Sequence, residues 1–577
     1  MHRDPLTATL IAIVLLSACA PPPRASGPPP GDQAPPRVAA PAQGTPKTLT
    51  VLVQREPNGW GSLAQTGSSS ASSGGSRSVE FIAQDLLTAE IDLDTFVPLL
   101  GEALPSVDLG TWVLHADGTM DVTWRLRPNI KWHDGTPFSS ADLLFSFTVF
   151  MDPELPTTAS QRAAIQSATA PDPQTFVVRY KHPYVNANRG ELGDIYPRHL
   201  LEELYQTDKL ALQTTPWLNS DFVGLGPYRL NRWDRGSSME FTGFADYYQG
   251  PPKLGRIVVR FINDPNAMVA AILAGDVDVV LPVAVDLEAA LEVKRRWEGT
   301  GNQVRTDITG RMPHLEMQYR PDVARPREGF TNRAVRQAFY HAIDRQTLTD
   351  IMNRGLAPVA DSWYHPAFPD RGQLEPAIPQ FPFDPTRAQQ ILVQAGWTRG
   401  SDGILVNAAT GDRFETELWG LSGQGFGLER QLNIVADGWK TIGAQVQLTV
   451  VPPARVSDAE YVTFHPGPLF TNPSGERFYT DRLSSKYIPS AANRWTGFDR
   501  GAYINPKVDA LYDRLNTTID PRDRMPLHRE LLQEQMGDVA LMPLYWEVVP
   551  TLMLKGVSGP KHVRNDSTRN IFDWDKL

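Results

Sequence analysis

The chain has 577 residues, and 55 lysines and arginines against 65 aspartates and glutamates give it a formal net charge of -10. That length exceeds what one hydrophobic core sustains, roughly 250–300 residues, so two or more lobes are expected. Hydrophobic residues at 41 % and charged residues at 21 % exclude disorder throughout, and an acidic balance without any Lys/Arg run excludes nucleic acid as a partner.

At the start, His2 and Arg3 precede LTATLIAIVLL, residues 6–16, an apolar run too short to span a bilayer but of the length of an export-signal core. The tetrapeptide LSAC, 16–19, resembles the bacterial lipobox, where small residues admit a signal peptidase before a lipid-bearing cysteine. Residues 1–18 are therefore expected to be a lipoprotein signal peptide, with Cys19 the first mature residue and the lipid on it an anchor to the membrane. Cys19 is the only cysteine, so the folded part is held together without disulfides. Residues 20–46 contain ten prolines in twenty-seven positions and no apolar periodicity. Together with Cys19 they read as a tether, 19–46, reaching at most about 80 Å in polyproline form.

Folding is expected to begin with KTLTVLVQ, 47–54, a buried strand. The Gly/Ser stretch at 67–76 reads as a surface loop. In NIKWHDGTPFSSADLLFSF, 129–147, a histidine beside an aspartate invites a hydrolytic reading. Strand neighbours point to opposite faces, however, and Asp-Gly with Pro137 is turn chemistry. Trp124 and Leu126 alternate with Arg125 and Arg127 as in a half-buried strand, and Ser139 or Ser140 is placed to cap a helix burying Leu143, Leu144 and Phe147. The stretch therefore reads as a strand, a turn and a helix.

Further on, GRIVVRFINDPNAMVAAILAGDVDVVLPV predicts strand, helix and strand: Asp264 caps, Pro265 takes the first helical position, Met268, Val269, Ile272 and Leu273 form one face, and Gly275 ends the helix. TNRAVRQAFYHAIDRQTL predicts one helix with Val335, Ala338, Phe339, Ala342 and Ile343 in a buried stripe. DPTRAQQILVQAGW repeats the Asp-Pro start, and GLERQLNIVADGWKTIGAQVQLTVV gives a helix, a Gly443 stop and a strand. Helices alternating with short strands imply α/β lobes.

Reactive motifs are sparse. The histidines show no H-E-x-x-H or comparable spacing, and neither a phosphate loop nor a G-x-S-x-G elbow occurs, so no metal or cofactor is expected. A serine hydrolase assembled from remote residues stays open as an alternative without local support.

Taken together, WRLRPNIKWHDGTPFSSADLLFSF, GLGPYRL (224–230), AAILAGDVDVV (270–280), NRAVRQAFYHAIDRQTL (332–348), ILVQAGW (391–397), INPKVDALYDRL (504–515) and MPLYW (542–546) resemble, in order, the blocks of the family 5 extracytoplasmic solute-binding proteins. These are peptide, dipeptide and nickel receptors of ABC importers. The resemblance covers nearly everything beyond residue 47. It implies an α/β, two-lobed periplasmic-binding-protein-like clamshell of type II with an extra subdomain on the first lobe. The first lobe would comprise 47–60, 223–308 and 541–577, the accessory subdomain 61–222 and the second lobe 309–540.

By the same resemblance the protein is no enzyme. It would be a monomer anchored outside the cytoplasm that captures a solute, first an oligopeptide, and hands it to the transmembrane subunits of an ABC permease. Peptide receptors of the family place an aspartate after a short aromatic run in the second lobe, to pair with the peptide amine. The corresponding YVTFHPGPLFTNPSGERF has no acid before Glu476, which leaves Asp499 of RWTGFDRG as a substitute and an oligosaccharide or other neutral solute as an alternative ligand. Trp60, Trp363, Trp419 and Trp495 lie in loops where the family places ligand contacts, and Tyr545 and Trp546 at the second lobe crossing.

Overall fold

The computed structural model describes residues 47–64, 76–155, 160–190, 192–423, 426–472, 482–561 and 567–577. The expected signal segment, Cys19, the tether, most of the Gly/Ser stretch and Glu476 lie outside them.

Three sheets organise the chain. The first has seven strands, in the order Gln303–Ile308, Val548–Met553, Val279–Val280, Thr48–Val53, Arg256–Phe261, Ser238–Gly243 and Tyr228–Asp234. Thr48–Val53 runs parallel to both Arg256–Phe261 and Val279–Val280, and the helix Pro265–Ala274 makes the crossover between those two. Local chemistry fixes that helix: the Asp264 carboxylate accepts from the Ala267 N–H, Pro265 opens it, and Gly275 ends it at φ 78°. Met268 and Ile272 bury against Leu52, while Leu49, Val51 and Val53 of the same strand enter a second cluster on the other face. A strand buried on both sides reads as the continuous apolar run seen in TLTVLV.

The second sheet orders Gln445–Val451, Glu415–Leu421, Leu469–Thr471, His314–Glu316 and Leu541–Pro543. Glu415–Leu421 is parallel to its two neighbours, and the helix Leu428–Thr441 joins it to Gln445–Val451. The predicted stripe Val335, Ala338, Phe339, Ala342 and Ile343 is fully buried beneath this sheet. The single helix expected there is two, Arg333–His341 and Arg345–Asn353. The side chain of Asp344 accepts from the Thr347 N–H and starts a new helix, a local cap that overrides the continuing apolar period.

The third sheet is a four-stranded antiparallel array, Trp112–Leu114, Met120–Arg125, Thr175–Tyr180 and Ile165–Asp172, under the helix Ser140–Met151. Trp124 and Leu126 are buried, and Ser139 caps the helix in a box with Asp142.

The chain passes between the first two sheets twice, at residues 309–313 and 544–547. The two passages run side by side: the Thr309 N–H donates to the Glu547 C=O (2.9 Å), the Glu547 N–H to the Arg311 C=O (3.0 Å) and the Leu544 N–H to the Pro313 C=O (2.9 Å). Because Leu541–Pro543 still pairs in the second sheet, the return crossing begins after it.

Within the turn of the third-sheet unit, His133 holds two parts of the chain together. Its Nδ1 accepts from the Gly224 N–H (3.1 Å) and its Nε2–H donates to the Gly226 C=O (3.0 Å). Both ring nitrogens are thus used by backbone, and burial pushes the imidazole down to about 4. His133→Ala leaves a buried N–H and a buried C=O without partners. It is expected to destabilise the docking of this subdomain by about 2–4 kcal/mol, measured by denaturant melts. Since the folded value lies below that of a free histidine, the contribution is complete above about pH 6.5 and fades as the pH falls toward 4. The wild-type chain should lose this part of its stability on acidification and the variant should not.

Candidate functional site

The cleft follows from the direction of the parallel strands. Ligands of open α/β sheets bind beyond the carboxyl ends of such strands, and here those ends approach one another. Arg55, just past Thr48–Val53, meets Gly423, just past Glu415–Leu421: a Cβ on Gly423 would stand 3.2 Å from Arg55 Nη2. The two crossings meet at the same end of the second sheet. Arg311 Nε lies 2.6 Å from Glu547 Oε2, and Asn472 Nδ2, one residue beyond Leu469–Thr471, donates to Glu547 Oε1 at 3.1 Å. Tyr545 of the return crossing, packed in the core of the second sheet, donates its hydroxyl to Gln431 Oε1 at 2.6 Å, and burial pushes that phenol well above the usual range.

The described part of the stretch where peptide receptors of the family carry an amine-binding aspartate, residues 461–472, ends in the strand Leu469–Thr471 followed by Asn472. The carboxylate next to it comes from Glu547, more than seventy residues later. Sequence reasoning did not single out Arg55, Arg311, Asn472 or Glu547. The available signal was the position of Glu547 directly after MPLYW, the block assigned to the crossing.

The five residues predicted as ligand contacts have different immediate surroundings. Trp60 is 2 % exposed, stacks on Phe222 at 4.0 Å and donates Nε1–H to the Asn219 C=O. Trp363 is fully buried and donates to Gln535 Oε1. Trp419 is buried beside Tyr461, with its Nε1–H on Glu417 Oε2 at 2.7 Å. Trp495 is half-buried, holds a left-handed backbone at φ 58° and meets Phe464 edge-on at 5.2 Å.

Asp499 is 4 % exposed and sits beside Glu316 and Leu541 of the second sheet. It lines a small cavity with Glu316, Arg482, Tyr319 and Tyr503; its Oδ1 accepts from the Tyr503 N–H (3.0 Å) while its Oδ2 has no hydrogen-bond partner. Burial, reinforced by the nearby Glu316 charge, holds this carboxyl well above the usual carboxylate range. A raised carboxyl favours the folded state below about pH 3.8 and costs stability as the pH rises through its folded value. Asp499→Asn keeps the acceptor for Tyr503. It is expected to raise the melting temperature at pH 7–9 and to converge on wild type near pH 4, which differential scanning calorimetry across that range would check.

Among the described residues no helix is long and apolar enough to cross a membrane. The sequence profile described as bacterial extracellular solute-binding proteins, family 5, middle, matches residues 105–503. A putative ABC transporter peptide-binding protein of Brucella ovis is 27 % identical over 280 residues, 48 % of this chain, and the match spans about half (50 %) of that relative's length. The oligopeptide-binding protein AppA of Bacillus subtilis is 24 % identical over 81 % of this chain and 83 % of its own. Its structure in complex with a nonapeptide superposes with a TM-score of 0.71 at 21 % identity, covering 92 % of this chain and all (100 %) of that one. An oligopeptide-binding protein of Thermus thermophilus with a pentapeptide gives a TM-score of 0.72 at 21 % identity, over 89 % and 92 % of the two chains. The fold is thus the two-lobed clamshell with an added subdomain, and the chain belongs to family 5 of the bacterial extracellular solute-binding proteins.

Proposed function

We propose that this chain is the receptor of an ABC-type importer, lipid-anchored through Cys19 outside the cytoplasm, that captures an oligopeptide between its two lobes and presents it as a monomer to the permease. The observation that carries this reading is the opposition of the two sets of parallel-strand ends across a pair of hydrogen-bonded crossings, a geometry in which one solute touches both lobes. The names of the Brucella and Bacillus relatives supply the solute class.

A ligand held by both lobes binds the closed form more tightly than the open one, and only that difference moves the hinge. A swing from 1:99 to 99:1 needs about 5.5 kcal/mol of preference. Nothing in this step breaks a covalent bond in the solute. His133, whose pairing with Asp134 had invited a local hydrolytic reading, spends both ring nitrogens on backbone groups. An oligosaccharide would stack on exposed indole planes, and three of the four candidate tryptophans are buried, which favours the peptide.

Native mass spectrometry of the purified mature chain identifies any small molecule that travels with it, and calorimetry with that compound gives its affinity. A co-purified peptide released on unfolding is the expected result. Steady consumption of a solute, with scattering profiles unchanged by any peptide, would overturn the proposal.

A further inference from the structure

The accessory subdomain, built on the third sheet, also touches the second lobe, which lies across the cleft from the first. Contacts run in both directions. From the subdomain, Leu93 at the tip of the hairpin Thr88–Asp92 and Thr95–Pro98 packs against the cluster that contains Leu511 and Leu515, drawn mostly from the second lobe and taking in Leu287 and Val548 of the first. From the second lobe, Ile519 packs against the subdomain core that contains Trp124 and Phe176. Between the two pegs the Val185 N–H donates to the Asn516 C=O at 2.8 Å. At the rim, Arg494 Nη2 reaches the Pro153 C=O at 3.4 Å.

The backbone bond has a physical reason. Asn516 is in the last turn of the helix Pro506–Thr517, where carbonyls have no partner within their own helix. The subdomain supplies an N–H to one of them. The pegs are complementary: each is an aliphatic side chain, half-buried, set into the other body's apolar cluster. Undocking would expose both to water together and free a carbonyl and an N–H to seek new partners. The Arg55–Gly423 approach lies between the first and second lobes, so the second lobe is held at separate places by two bodies.

We propose that Leu93, Ile519 and the Val185–Asn516 bond form a clasp by which the accessory subdomain holds the second lobe in the closed position, so that the chain is biased toward closure before any solute arrives. The clasp rests on the proposed receptor reading only in taking the cleft as the solute site. Its effect on affinity follows from linkage: apparent affinity scales with the fraction of chains in the binding-competent form. Loss of the clasp therefore weakens every ligand by one common factor, and it does so by faster release, since the clasp must open before a solute leaves.

The test places spin labels at Leu109→Cys in the subdomain and Asp523→Cys in the second lobe, both exposed, in a mature chain with Cys19→Ala. Electron–electron distance measurements on ligand-free protein are expected to show a short-distance population that Leu93→Ser with Ile519→Ser abolishes. The same pair of changes should speed dissociation of a fluorescent free-amine pentapeptide pool about tenfold, with its association rate no slower. If the double variant does not fold, Leu93→Ala and Ile519→Ala singly should each give part of the shift. An unchanged distance distribution in variants that fold overturns the clasp. A lost short-distance population in a chain that binds no pentapeptide leaves the clasp standing and removes the peptide reading, so the two failures are distinguishable.

Discussion

Arg482→Met is expected to lower the stability of the second lobe by about 3–5 kcal/mol at neutral pH, read as a drop in urea midpoint with an unchanged slope. Arg482 and Glu316 form an ion pair in which both residues are buried, at 5 % and 7 % exposure, and His314 Nε2 stands 3.4 Å from the same carboxylate. Burial alone would push the Glu316 carboxyl up; the Arg482 guanidinium, with help from His314, outweighs it and holds the group down at about 2. Without the guanidinium the buried carboxylate is either charged with only the weaker fields of His314 and Arg500 to offset it or protonated at neutral pH, and both states are costly.

The sign of the pH dependence follows from the depressed value. The pair contributes fully above the ordinary glutamate value near 4.5, and its contribution is lost as the pH falls toward 2. The gap between wild type and Arg482→Met should therefore be widest at pH 6–8 and narrow toward pH 3. Glu316→Leu combined with Arg482→Met should recover most of the loss, because an apolar pair of similar volume needs no charge compensation. A single variant that melts within about 1 kcal/mol of wild type at pH 7 would show that the guanidinium is not what makes this carboxylate tolerable.

The second large effect is expected at Trp60. Trp60→Ala removes an indole that stacks on Phe222 and meets Trp233 and Phe241 edge-on at 6.1 and 6.3 Å, at the carboxyl end of the first strand. A loss of about 3–5 kcal/mol is expected from the transfer and cavity terms together, and the Asn219 C=O loses its donor. Trp60→Phe keeps an aromatic ring in the stack and forfeits the N–H, so its cost should fall to about 1–2 kcal/mol. Thermal melts of the two variants separate packing from hydrogen bonding. Equal losses would mean that the stack contributes little and the indole N–H nearly everything.

The elements that were legible in the sequence are those whose causes are local. Asp264-Pro265 with Gly275, and Asp384-Pro385 with Ala395-Gly396, carry both ends of their helices in short local sequences, and both helices start and stop there. The strand-turn-helix reading of WRLRPNIKWHDGTPFSSADLLFSF rested on alternation and capping and holds for the same reason. The site was less legible because its contacts are not local. Glu547 meets Arg311 and Asn472 only after the chain has crossed between sheets twice, and Glu316 meets Arg482 across 166 positions. Nor does a loop sequence say which way an indole turns: Trp60 and Trp363 follow ordinary turn residues, yet both fold back into apolar clusters.

The strand Val548–Met553 lies between Gln303–Ile308 and Val279–Val280 in the first sheet, although it comes much later in the chain than either. Until those residues have been made, Gln303–Ile308 has no strand to pair with among the described residues. The first sheet therefore cannot be completed by the earlier residues alone and waits on the return crossing. A stop codon just past the return crossing would consequently damage the beginning of the protein as much as its end.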